Sequence, residues 1–325
     1  MDKVNLTGAN LRGANVRGTR LAGANLRGAL LADVDLMPAV LTGAKISLGM
    51  LKLPLDIQEM MREHALWVDS FGLEGRRAIL SSVAFAGTDL TNVYLSGAIL
   101  LGAEFVLADL EGTNLKGANL RLADFSGAML GGADLRDTDL SVAILGSVAL
   151  LGPNGKPTGR KRPVTIVGAN LSGQDLRRVE LAGIDLSAVN LSRCNLGGLR
   201  PPYMRFTLAD LRDANLRGAD LRRSNFDGAD LRNADLSKTR LVLADFGPAE
   251  IDTREGSGVS GSGSARLNGA NLTIAGLSGV NFEGADLRGA VLTSADVGEA
   301  EYLGPDGSGT GRYRHTSFAG ADLRG

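Results

Sequence analysis

Few residues in this chain are of a type that does chemistry, and none has the spacing chemistry needs. There are two histidines, His64 and His315, far apart in the sequence, and one cysteine, Cys194. A metal centre requires several His, Cys or carboxylate ligands converging on one point, and these residues do not form such a cluster. Aspartates are abundant, and a pair of them can act as general acid and base. Here, however, they recur at one fixed place in a repeating pattern, which explains them without a cleft. Glycine-rich turns such as LRGADLRG lack the G-x-x-x-x-G-K-[ST] arrangement that cradles phosphates. The residues therefore imply no catalytic group, no cofactor and no metal, and the chain is read as something other than an enzyme.

The pattern carrying those aspartates has a period of five. From Leu6, every fifth residue is Leu11, Val16, Leu21, Leu26, Leu31, Leu36, Leu41 and Ile46. The register resumes at Phe85 and continues to Leu150, runs again from Ile166 to Ile251 and from Leu267 to Tyr302, and ends with Phe318 and Leu323. Two residues before each centre stands a small side chain, usually Ala (Ala24, Ala118, Ala219), and immediately before it Asn or Asp (Asn25, Asn119, Asp220). Neither the 3.6-residue period of a helix nor the alternation of an ordinary strand fits this. A small and a large apolar residue separated by one polar residue suit a short extended side that points both inward. The next two residues, often including Gly, turn the corner. Four such sides close a square coil of about twenty residues, and stacked coils pair through their backbones. Cys194 falls in a small inward slot and is read as core.

The runs GANLRGANVRG, GTNLKGANL, DANLRGADLRRSNFDGADLRNADL and FEGADLRGAVL resemble those of pentapeptide-repeat proteins. The resemblance implies an all-β, right-handed quadrilateral β-helix. With about fifty units, the stack would form a rod on the order of 60 Å long at ~4.8 Å per layer.

The repeat organises the chain as coils over 1–46, a helical insertion over 47–82, and coils over 83–325 interrupted by loops 151–165, 252–266 and 303–317. In the insertion, Asp56 and Glu59 suggest a capping box. Met60, Met61, His64, Trp67, Val68 and Phe71 fall at near-helical spacing, and Gly72 suits a stop, which predicts one amphipathic helix over 57–70. The string from His64 to Ala78, H-x-x-W-x-x-S-x-G-x-x-G-x-R-A, resembles a segment found beside repeat arrays in some bacterial pentapeptide proteins, with no activity attached to it. His64 and Trp67 either pack the helix on the flank of the coils or dock a partner. Two of the loops are near copies, LGPNGKPTGR at 151–160 and LGPDGSGTGR at 303–312. Their Pro-Asn-Gly and Pro-Asp-Gly turns predict surface loops or short hairpins. The shared Thr-Gly-Arg endings make Arg160 and Arg312 candidate contacts, although duplication of a coil with its loop also explains them. The stretch 254–266 reads as a flexible Gly/Ser loop. Pro201 at a centre, with Leu199 and Met204 in small slots, predicts a bulge.

Thirty-five basic residues against 36 acidic ones leave a net charge of −1, so direct nucleic-acid binding is not expected. Locally the balance differs. The coils over 83–150 carry an acidic excess, while 151–165 contains Lys156, Arg160, Lys161 and Arg162 and no acid. The start MDKVNLTGANL is not a secretory signal, and no apolar run is long enough to span a membrane, so the expected location is cytoplasmic. The composition points to a scaffold or protein-interaction module with a partner the residues do not name. The resemblance implies a second possibility, because some pentapeptide-repeat proteins mimic DNA and bind DNA gyrase, protecting it from quinolones or inhibiting it. This chain departs from those members in its near-zero net charge and in its helical insertion. Two final units at 318–325 would shield only half a layer, so either the natural chain continues past Gly325 or the end pairs with a second copy as an end-to-end homodimer.

Overall fold

The computed structural model describes residues 3–37, 39–251, 261–304 and 307–324. The chain divides into two compact units, 1–165 and 166–325.

In both units the five-residue pattern produces the expected coil. Each outward Asn or Asp forms a parallel bridge with the residue one coil on, as in Asn119 with Asp139 and Asp210 with Asp230. The backbone around it supplies the ladder: Asn119 donates to the Ala98 carbonyl at 3.0 Å, and Leu100 donates to Asn119 at 2.9 Å. The corners are tight turns closed from the third residue after a centre, as when Ala98 donates to Leu95 at 3.1 Å; at Met204 a side chain takes over that bond. The residue before the closing donor adopts a left-handed backbone. Glycine often fills that place, but Leu107, Leu122, Leu208 and Leu243 hold it as well, with φ of 60, 62, 57 and 61°. Such a conformation costs a leucine about 1 kcal/mol or more, and the ladder bonds on either side hold it in place.

Within 1–165 the chain makes two stacks. Residues 3–46 form the first, in which Leu21, Ala24, Leu26 and Leu31 are buried while Leu6, Leu11, Leu36 and Leu41 are only partly covered. The second begins with Ala78 and Leu80, both fully buried, with Ile79 bridged to Ile99. Coiling thus resumes one unit before the residue at which the sequence register becomes unambiguous, because Leu80 fills a centre that its neighbours do not mark. Stacked Phe85, Phe105 and Phe125 run through this core, with ring centroids 5.2 and 4.9 Å apart. Within 166–325 the same kind of ladder joins Phe206, Phe226, Phe246, Phe282 and Phe318 at 4.7–5.2 Å. Near Pro201 the irregularity is local. Leu199 and Met204 are buried in small slots, and the Met204 amide donates to Ser224 Oγ at 3.1 Å.

Between the two stacks of the first unit lie a 3-10 turn, Leu48–Lys52, and one helix, α1, Leu55–Asp69. The helix starts two residues earlier than the sequence spacing predicts, and Asp56 makes no capping box. Pro54 is the N-cap, no side chain caps the helix, and Asp56 lies within its first turn. A proline suits this end because the amide it lacks would have no helical partner.

Three antiparallel hairpins leave the coils: β1 (Ser147–Leu151) with β2 (Pro157–Pro163), β3 (Pro248–Ile251) with β4 (Gly261–Ser264), and β5 (Glu299–Leu303) with β6 (Gly309–His315). Across each, the ladder spacing grows from 20 to 36 residues, so every hairpin inserts sixteen. This corrects the loop boundaries. Leu150, Ile251 and Tyr302 lie on hairpin strands and are not coil centres. Sixteen is one more than three repeats, so the first strand keeps the five-residue phase for one further unit before losing it. Of the Gly/Ser stretch 254–266, the part up to 260 lies outside the described residues, and Gly261–Ser264 is strand.

Candidate functional site

The long motif beginning at His64 is used almost entirely to fasten α1. On one side of the helix, Leu66 and Ala65 press into the corners of the first stack at Gly8 and Gly28, where a Cβ would strike them. On the other side Trp67 lies over Gly97, 3.4 Å from where a Cβ would be. His64 stacks on Trp67 with centroids 5.5 Å apart, and its Nδ1 accepts the amide of Ala78 at 3.1 Å. The imidazole is completely buried, and Nε2 has no hydrogen-bond partner among the described residues. Burial, reinforced by the charge of Arg77, lowers its pKa to about 4, so it is a neutral ring at ordinary pH. Past the helix, Ser70 Oγ accepts the Glu74 amide at 2.8 Å. Gly72 closes the end by donating to Trp67 O at 2.7 Å. Gly75 leaves no room for a side chain against the Glu63 carbonyl, and Arg77 Nε donates to Gly97 O. The packing reading of His64 and Trp67 therefore describes their surroundings. His64 has no surface to offer a partner, and Trp67 is partly covered.

What the motif leaves outside is Phe71 and Leu73, 96% and 89% exposed. Phe71 occupies the left-handed position after the helix, φ 56°, a place that favours glycine. With Trp67, Val68 and Gly97 it lines a shallow apolar hollow of about 410 Å³. Arg76 and Arg77 are exposed on the same turn. Sequence spacing grouped Phe71 with the apolar residues of the helix, although the helix it predicts ends at Ser70. The signal against that grouping was its place directly before the stop glycine.

The hairpins carry the remaining candidates. All three sit on one kind of seat. A Cβ on Gly127 would lie 2.6 Å from Val148 and 3.1 Å from Leu107. On Gly228 it would meet Leu208 and Ala249, and on Gly279 Leu243 and Ala300. In the first and third hairpins the shared threonine is structural. Thr158 Oγ1 donates to Leu150 O at 2.8 Å and accepts from the Arg160 amide at 3.3 Å; Thr310 does the same with Tyr302 O, at 2.6 Å, and the Arg312 amide. Arg160, Lys161 and Arg312 are exposed, and Arg162 is half-buried.

The aspartates make a local clamp where the repeat reads Asp-Leu-Arg. In Asp210–Arg212 the guanidinium grips both carboxylate oxygens, at 2.8 and 2.6 Å, while the Arg212 amide donates to the same group. Asp134–Arg136, Asp220–Arg222 and Asp286–Arg288 repeat the arrangement, and the arginine's hydrogen bond holds each of these carboxyls below its ordinary pKa. Carboxylates engaged in this way remain ionised and hold no proton to exchange. Cys194 is buried, its thiol pushed up to about 11 by burial and directed at Leu171 O at 3.0 Å. Among the described residues no group of three His, Cys, Asp or Glu could hold a metal ion, and no helix is long and apolar enough to cross a membrane.

A profile of pentapeptide repeats matches residues 5–43, 78–141, 166–198, 206–247 and 264–300, over half of the chain. The chain belongs to the pentapeptide-repeat family. Its coils are the right-handed quadrilateral β-helix of that family. No curated protein matches the chain at a significant level. Among solved structures it is similar to HetL, a pentapeptide-repeat protein involved in heterocyst differentiation regulation in the cyanobacterium Nostoc, at 24% identity over 95% of this chain and 92% of that one, TM-score 0.25. A pentapeptide-repeat protein of the Arabidopsis thaliana thylakoid lumen is 27% identical over 37% of this chain and 68% of its own, TM-score 0.28. QnrB1, a plasmid-mediated fluoroquinolone resistance protein, is 16% identical over 75% of this chain and 90% of its own, TM-score 0.20.

Proposed function

We propose that this pentapeptide-repeat protein is a non-catalytic, cytoplasmic scaffold that presents fixed surface features to a protein partner. The observation that carries this reading is the turn after α1. Most named positions of its motif are committed to internal contacts, while the apolar side chains it adds, Phe71 and Leu73, stand 96% and 89% exposed. An aromatic residue in a left-handed, solvated position gives the fold nothing. It gives a partner a large anchor whose backbone is already ordered, which lowers the entropic cost of binding. The complementary surface is an apolar pocket that takes an aromatic ring. The test is affinity purification from the native host with the wild-type chain and with Phe71→Ser/Leu73→Ser. A protein retained stoichiometrically by the first and lost by the second supports the reading. Identical retention by both overturns it.

A further inference from the structure

The first and third hairpins form an internal comparison. They share the sixteen-residue insertion, the irregular step between Ala149 and Leu151 or Glu301 and Leu303, and the threonine that braces it. Against that common backbone their charges diverge. In the third hairpin the strand facing the cations is acidic. Glu299 lies 3.6 Å from His315, and Glu301 accepts the Gly311 amide at 2.7 Å. In the first hairpin the equivalent partners of the basic strand are Ser147 and Ala149, opposite Pro163 and Lys161. Lys156 and Lys161 stand where the third has Ser308 and Tyr313. The first hairpin thus holds four cations and no acid, and its exposed Lys156, Arg160 and Lys161 make no ion pair among the described residues. Leu151, 63% exposed, adds an apolar contact to the same ribbon.

We infer that the β1–β2 hairpin is a docking arm for an acidic, extended peptide segment of a partner protein, with a hydrophobic residue to meet Leu151. The fold does not require these charges, since the third hairpin stands on the same seat with Ser308 and Tyr313 in place of two of them and with glutamates on its first strand. Like charges held on one short strand and the turn before it repel one another, and an acidic ligand removes that repulsion while gaining charge-assisted hydrogen bonds. A peptide fits better than a nucleic acid. The coils that carry the hairpin present Glu104, Asp109 and Asp124 outward, and these repel a phosphate backbone long enough to pass the ribbon's ends.

This inference rests on the scaffold reading, but its test is separate from the Phe71–Leu73 surface. A fluorescein-labelled octapeptide of alternating Glu and Leu, and a labelled duplex DNA, are titrated with the full chain and followed by anisotropy. The expected result is salt-sensitive binding of the peptide, weakened at least tenfold by Lys156→Gln/Arg160→Gln/Lys161→Gln and unchanged by Arg312→Gln. The DNA should bind more weakly. Circular dichroism of each variant confirms that the coils are intact. No peptide binding, binding that survives the triple substitution, or DNA binding as tight as the peptide's would each overturn the inference. If it falls while Phe71→Ser/Leu73→Ser still abolishes partner capture, the scaffold reading stands without this arm.

Discussion

His64 shows how a single residue can be placed in its element from sequence while its surroundings are settled only by the fold. Its sequence position beside Trp67 in a helix was plain, but its burial depends on the corner at Gly97 and the coil start at Ala78, which come together only in the fold. Phe71 is the converse, an apolar residue at helical spacing that the stop at Gly72 turns outward. The neutral, enclosed His64 gives folding a pH signature. The unfolded chain protonates near 6.5 and the folded ring only near 4. Stability is therefore complete above pH 6.5 and declines as pH falls towards 4, by about 3 kcal/mol in all. Urea unfolding of the wild type should show this slope. His64→Asn should abolish it, whatever that substitution costs at pH 7, and an unchanged slope would show that other groups carry it.

At the scale of elements, coils and α1 were legible because each repeats a local rule or follows helical spacing, whereas the hairpins were legible only in part. The copied loops at 151–160 and 303–312 drew attention through similarity, whereas the hairpin of β3 and β4 was read as a flexible loop because β4 is glycine and serine. What unites the three is a seat in the preceding coil, which no local pattern records. Gly127 and Gly132 share a left-handed backbone, φ 68 and 64°, but only Gly127 lies beneath a hairpin. Gly127→Ala should lower the thermal midpoint more than Gly132→Ala, by the equivalent of about 1–2 kcal/mol, because the methyl must displace Val148. Equal shifts would mean the hairpin does not rest there. Conversely, removing residues 148–163 restores the 20-residue spacing, bringing Gly146 and Ser147 directly onto the buried Val164. The shortened chain should keep the wild-type circular dichroism spectrum. Its loss would show that the hairpin is needed to hold the coils together.

For the molecule as a whole, the charge distribution separates this chain from a DNA mimic. Where the repeat reads Asp-Leu-Arg the aspartate is clamped by its own arginine, as at Asp210–Arg212 and Asp286–Arg288, so those stretches of surface offer paired charges where a mimic needs bare ones. Micromolar protein should leave gyrase supercoiling unaffected. Inhibition that weakens when Asp109, Asp124 and Asp134 are neutralised would reverse that view. The hairpin insertions have another consequence. Because the chain leaves a corner and returns to it, the side chains of the excursion that point away from its seat are invisible to the layers above and below. Mutation there is uncoupled from mutation in the frame, so one copy can turn basic while its twin remains balanced, and neither change has to be answered by the core. Such a frame can acquire a new specificity without first being redesigned.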